Sequence, residues 1–217
     1  MRDQYEKQLK QLKEELVRMG ELCEKAIGEA AKALDEGNLK RAKEVMEADG
    51  EIDRMEKDIE SLCLKLLLQQ QPVAGDLRQI SAALKMITDM ERIGDQAADI
   101  AEIIQSGKMT EGKVLAEIGK MARSAAGMVN QSVSAYVKGD RELAKRVIAE
   151  DDIVDRFFDQ IKDELISSIA AGRGDGSRAI DQIMIAKYLE RIGDHATNIA
   201  EWVEYSITGI HQSEELL

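Results

Sequence analysis

Glu91-Arg-Ile-Gly-Asp95 and Glu190-Arg-Ile-Gly-Asp194 are the same five letters, 99 positions apart. Working outward, Gly37-Asn-Leu-Lys-Arg-Ala-Lys through Asp49 and Asp53-Arg54 lines up with Gly139-Asp-Arg-Glu-Leu-Ala-Lys through Asp151 and Asp155-Arg156 at an offset of 102. The chain therefore reads as a tandem duplication, with units over 1–107 and 108–217 and a join in Ser106–Gly112. Turn signals are sparse: Glu36-Gly37-Asn38 and Gln71-Pro72 to Asp76 in the first unit, Lys138-Gly139-Asp140 and Ala171–Ser177 in the second. Three helices per unit follow, with Asp76 and Ser177 as expected N-caps of the third. Apolar residues recur at three- and four-residue steps: Met86, Met90, Ile93, Ala97, Ile100, Ile104, and in parallel Ile185, Leu189, Ile192, Ala196, Ile199, Val203. The fold class is all-α, a tandem duplication of two antiparallel three-helix bundles with six long helices in an elongated molecule.

Composition agrees. With 217 residues, one Pro, 3% aromatics and 44% apolar residues, the chain has the makeup of long helices and enough length for a core. Thirty basic against 42 acidic residues leave a net charge of −12, which opposes binding to nucleic acid and to anionic lipid. No apolar run reaches the ~20 residues needed to cross a bilayer, and the start lacks the apolar stretch of a signal peptide, so direct membrane insertion is not expected and a cytoplasmic location is. If the first two helices fold back near Gly37, Cys23 and Cys63 lie roughly 18 Å apart along the helix axis, so both are expected as reduced core thiols.

The repeated motif carries acids on one helical face: Glu91, Asp95, Asp99 and Glu102, repeated as Glu190, Asp194, Asn198 and Glu201. That face is expected to lie away from the core stripe and to continue an apolar strip through Ile80, Leu84 and Ile87, or Ile183 and Ala186. The middle helices add Asp49 with Asp53, and Asp151 with Asp155. Asp53 and Glu91, like Asp49 and Asp95, are equidistant from Pro72, while Asp155 with Glu190 and Asp151 with Asp194 are equidistant from the Gly172–Arg173 junction. Neighbouring antiparallel helices would hold each four carboxylates level, with Asp99 or Asn198 as a fifth oxygen ligand. Like charges at i, i+4 destabilise a helix by a few tenths of a kcal/mol, so an offsetting cation is expected. Oxygen-only clusters without interleaved lysines suit Mg, Ca, Mn, Fe or Zn. The other reading is a solvated acidic face neutralised by Arg54, Arg92, Arg156 and Arg191. His195 points away from the acids and His211 lies in the tail; the methionines read as core filler, and Trp202, Tyr205 and Tyr188 could pack against a partner or against their neighbours.

The blocks Asp76-Leu-Arg-Gln-Ile, Ala83-Leu-Lys, Glu91-Arg-Ile-Gly-Asp-Gln-Ala97 and Glu190-Arg-Ile-Gly-Asp-His-Ala-Thr-Asn-Ile-Ala-Glu-Trp202 resemble the signature of the PhoU family of phosphate-transport regulators. The resemblance implies a cytoplasmic homodimer of two three-helix bundles holding multinuclear iron or zinc on E(D)xxxD motifs. In this chain those fall on Asp49, Asp53, Glu91, Asp95 and Asp99, and on Asp151, Asp155, Glu190 and Asp194, with Asn198 departing from Asp99. It also implies negative control of phosphate uptake and starvation signalling through the ATPase subunit of the phosphate ABC transporter and a membrane sensor histidine kinase, without catalysis. A structural helical adaptor lacking metal is the alternative. A carboxylate-bridged metal oxidase is a third reading, but it expects Glu-x-x-His pairs, and neither histidine has a Glu three residues before it.

Overall fold

The computed structural model describes residues 2–69, 73–106, 113–172 and 175–210. Six helices follow in order: α1 Arg2–Glu36, α2 Leu39–Gln69, α3 Ala74–Ser106, α4 Lys113–Lys138, α5 Arg141–Ala170 and α6 Gly176–Thr208. Each forms because its apolar residues return to one side every three or four positions, as Leu12, Leu16, Met19, Cys23, Ile27, Ala30 and Leu34 do on α1, all buried. The first turn is built alike in both units. Gly37 and Gly139 take left-handed φ of 59° and 64°. The next residues, Asn38 and Asp140, donate their N–H to Ala33 and Ala135 carbonyls at 2.9 Å and accept the Arg41 and Leu143 N–H on their side chains.

The third helices begin differently from expectation. α6 is capped by Asp175, whose carboxylate accepts the Ser177 N–H at 3.0 Å, so Ser177 is already helical. α3 starts at Ala74 with the Val73 carbonyl accepting from Leu77, which places Asp76 in the first turn, where its charge favours the helix N-terminus. Pro72, Arg173, the join at 107–112 and His211 lie outside the described residues.

α3 and α6 form the longest contact and cross antiparallel, while α1 packs on α4. The bundles therefore lie flank to flank on one continuous core rather than end to end. Because α3 also packs on α1 and α2, it is buried on several sides: Ile80 and Ile87, expected to lead into the acidic face, are core residues at 0% and 2% exposure. Ala186 is likewise buried on α6. Cys23 and Cys63 are free and buried, their thiols pushed up to about 12 by desolvation. Met19, Met86, Met90, Met121 and Met128 fill the core, Trp202 and Tyr205 meet edge to face at 5.6 Å, and Lys85 lies over the Trp202 ring.

Candidate metal centre

The two glycines of the repeated pentapeptide decide how closely the helices approach. A Cβ at Gly94 would come within 2.9 Å of both Asp49 Oδ1 and Ile52 Cδ1, and one at Gly193 within 3.1 Å of Asp151 Oδ1 and 3.2 Å of Val154 Cγ1. With no side chain at these two positions, α2 and α5 can seat their aspartates closely against α3 and α6. Asp49 thus lies beside Gly94 and Asp151 beside Gly193, one residue from the level pairing with Asp95 and Asp194 that symmetry about the turns predicts.

In the first unit, one carboxylate oxygen from each of Asp49, Asp53 and Asp95 falls within 4.8 Å of the others. Asp49 Oδ1 is buried and has no hydrogen-bond partner. Desolvation, then repulsion from Asp53, Asp95 and Asp99, lifts the Asp49 carboxyl from its ordinary 3.8 to about 6. Glu91 and Asp95 are raised by desolvation and by neighbouring acids, against a smaller opposing pull from Arg92. Asp99 is raised by burial and by Asp95 and Glu102, while a hydrogen bond with Tyr188 of α6 works the other way. Glu56, a turn beyond Asp53, also acts on Glu91 and extends the cluster; its i, i+3 spacing from Asp53 was the available signal.

The second unit keeps the layout, with Asn198 in place of Asp99. Asp151 Oδ1 is buried without a partner and its carboxyl is lifted to about 6 by desolvation and by Asp155, Asp194, Asp152 and Glu190. Asp155 and Asp194 are raised chiefly by desolvation and then by Glu190. Here, however, a lysine is interleaved, against expectation: Lys187 pairs with Glu190 one turn away on α6. Of the four arginines considered as neutralising partners, Arg92 and Arg191 act on these acids, Arg191 on Asp99 of the other unit.

Between the patches runs the α3–α6 seam, and it holds the residue that sequence reasoning missed. Asp89, 8% exposed, accepts a hydrogen bond from the Asn198 amide at 3.2 Å and lies 2.8 Å from His195 Nδ1. Asn198, expected to supply oxygen to the second patch, thus spends its amide nitrogen on the opposite helix, because the antiparallel crossing brings Asp89 to it. Asp89 and Asp99 precede Tyr188 and Asn198 by the repeat offset of 99, so Asp89–Asn198 and Asp99–Tyr188 are the same contact seen from either side of a pseudo-two-fold axis. The angular argument that His195 faces away from its own acids holds; its partner on α3 needed the packing to be found.

Both donor sets offer oxygen ligands only, with a buried orphan oxygen in each patch and mutual repulsion that a cation would remove, which suits a hard or borderline divalent ion; in the first patch three of these oxygens converge. Asp49, Asp53 and Asp95 would hold it in the first unit, with Glu91 and Asp99 in electrostatic reach, and Asp151, Asp155, Glu190 and Asp194 in the second. No described helix is long and apolar enough to cross a membrane.

Comparison with known proteins places this architecture. The profile described as PhoU domain matches residues 16–104 and 118–203, once per unit. A Phosphate-specific transport system accessory protein PhoU homolog of Clostridium acetobutylicum is 37% identical over 210 residues, 94% of each chain. The homolog from Pseudomonas aeruginosa is 34% identical over 95% of this chain and 86% of its own. Of solved structures, PhoU from Pseudomonas aeruginosa superimposes with a TM-score of 0.88 at 33% identity over 95% of this chain and 100% of that one. The phosphate transport system regulatory protein PhoU from Streptococcus pneumoniae shares the fold, with a TM-score of 0.88 at 22% identity.

Proposed function

The chain belongs to the PhoU family, and from that premise we propose that it is an accessory protein of a phosphate-specific transport system, acting as a metal-binding adaptor that restrains the transporter. The observation that carries the metal part is the Asp49–Asp53–Asp95 convergence with its buried, unpartnered Asp49 oxygen, built by a glycine at the point of helix contact. A purely solvated acidic face gives no reason to bury an aspartate oxygen against Gly94 twice over, in Gly94 and Gly193. Multinuclear iron or zinc fits the oxygen-only set, as do other divalent ions. When bound, the ion neutralises the patch; the chain's own residues fix helices α2 and α3, and α5 and α6, in the register that receives it.

The role is regulation rather than catalysis. The relatives are named as accessory proteins, and His195, the histidine among the described residues, pairs with Asp89 of the seam rather than forming the Glu-x-x-His ligation of an oxidase. Partners of the proposal are a second copy of the chain, the ATPase subunit of the phosphate ABC transporter and a membrane sensor kinase, all met in the cytoplasm. The test is elemental mass spectrometry on untagged protein purified without chelator, beside an Asp95→Ala, Asp194→Ala double variant, together with a pull-down of the transporter ATPase. Bound iron, zinc or manganese lost in the variant, and ATPase captured by the wild type, support the reading. Absence of metal from both samples with the ATPase still captured would remove the metal and leave a helical adaptor.

A further inference from the structure

Besides the Asn198 that stands for Asp99, the two patches differ at two positions that the repeat offsets bring into register. Lys187 stands where the first unit has Thr88, and Phe158 stands where it has Glu56. The Thr88 hydroxyl turns back on its own helix, donating to the Leu84 carbonyl at 3.4 Å, and so adds no charge to the first patch. The Lys187 ammonium instead forms an ion pair with the Glu190 carboxylate and acts on Asp155 and Asp194 as well. It lies 5.4 Å from the centroid of the Phe158 ring, which it shares with Lys162 at 5.6 Å and whose π-system attracts a cation. The second patch thus contains a tethered positive charge and an aromatic seat for it, at positions where the first offers a neutral hydroxyl and one more carboxylate. The converging three-oxygen arrangement is formed in the first patch.

We propose that Lys187 is a built-in counter-cation of the second patch, so that a divalent metal fills the first patch ahead of the second and enters the second only by displacing Lys187 from Glu190. The inference rests on the metal-binding reading above and names Lys187 as a residue that makes the two sites unequal in addition to Asn198. Asp152 and Asp159 add negative charge near Asp151 and Asp155, but Asp159 is itself paired with Lys162, and neither offsets the cation on Glu190. The consequence is graded loading: one site filled at low metal, both filled only when metal is abundant.

The experiment is a titration of the metal-stripped full chain with Mn2+, read from the electron paramagnetic resonance signal of the free ion. It is run on the wild type, on Lys187→Met, which keeps the stem over Phe158 and removes the charge, and on Lys187→Arg. An Asp49→Asn, Asp95→Asn background isolates the second patch. In that background Lys187→Met should raise Mn2+ affinity by about tenfold or more, as expected when a unit charge leaves the neighbourhood of the ligands, whereas Lys187→Arg should leave it as in wild type. The reciprocal change Thr88→Lys, in the otherwise wild-type chain, should weaken the first and tighter class, and it keeps the test available if a Lys187 variant folds poorly. Equal affinity of both patches in the wild type, or a second-patch affinity that Lys187→Met leaves unchanged, overturns the inference while the metal sites stand. Failure of the wild type to bind Mn2+, iron or zinc at all overturns the metal reading and this one with it.

Discussion

Asp49→Asn isolates the tension in the first patch. The Asp49 carboxyl sits at about 6 in the folded chain against 3.8 ordinarily, so at pH 7 the fold holds ionised a group it would rather keep protonated. At about 1.36 kcal/mol for each tenfold change in proton affinity, that displacement has an unscreened ceiling of about 3 kcal/mol. Asp49 is only half-buried, and solvent screening brings the expected effect down to about 1 kcal/mol. The isosteric amide removes the charge and one repulsion each with Asp53, Asp95 and Asp99, so in chelator at pH 7 the variant should be more stable by ~1 kcal/mol, or about 3 °C in Tm.

The pH dependence gives the sign independently. A carboxyl with a raised folded value binds its proton more readily in the fold, so its stabilising contribution is complete below pH 3.8 and is lost as the pH rises through about 6. Metal-free wild type should therefore gain stability as the pH falls from 7 toward 5, and Asp49→Asn should flatten part of that slope. With metal the order reverses: an ion at 100 times its Kd stabilises the wild type by about 2.7 kcal/mol, and the variant should lose most of this. The assay is guanidinium unfolding at pH 7 and 5.5, in chelator and in saturating Mn2+. A variant less stable than wild type in chelator at pH 7 would refute the reasoning, since it would mean that Arg92 and solvent already relieve the patch.

Gly94→Ala should cost ~1 kcal/mol net, because contacts of 2.9 Å with Asp49 and Ile52 impose an overpacking penalty of about 1–3 kcal/mol that exceeds the roughly 1 kcal/mol helix-propensity gain; Gly193→Ala, with contacts of 3.1 and 3.2 Å, should cost less. Denaturant midpoints check the order, and a stabilised Gly94→Ala would show that α2 does not need this approach. Asp89→Ala should lose about 2 kcal/mol by leaving His195 and Asn198 without their shared acceptor at the seam, with metal content per folded chain unchanged; loss of metal in this variant would tie the seam to the sites. Cys23 and Cys63 should resist a thiol reagent in native buffer and react on unfolding, since both are fully buried with thiols near 12; fast native labelling would contradict the packing of α1 against α3.

The sequence by itself determined the helices, the first turn of each unit and the level of the acids to within one residue. Helical period, left-handed glycines at 37 and 139, and the repeat of Glu91–Asp95 at Glu190–Asp194 are local properties, and distances from a turn fix which residues meet across a hairpin regardless of the rest of the molecule. The same arithmetic brought Asp49, Asp53 and Asp95 together before any packing was known. Caps were less legible, since Asp175 and Ser177 are both good capping residues and the choice depends on where the preceding chain arrives. What only the tertiary structure decided lies between the units. Nothing in the spacing of α3 says that a second copy of itself will cross it antiparallel, so the burial of Ile80 and Ile87, the acceptance of His195 and Asn198 by Asp89, and the reach of Tyr188 to Asp99 all appear only once two amphipathic faces have found each other. Lys187 shows the same limit on a smaller scale: one turn from Glu190 it could have faced solvent, and it is Phe158, on another helix, that gives its ammonium a seat at the second patch.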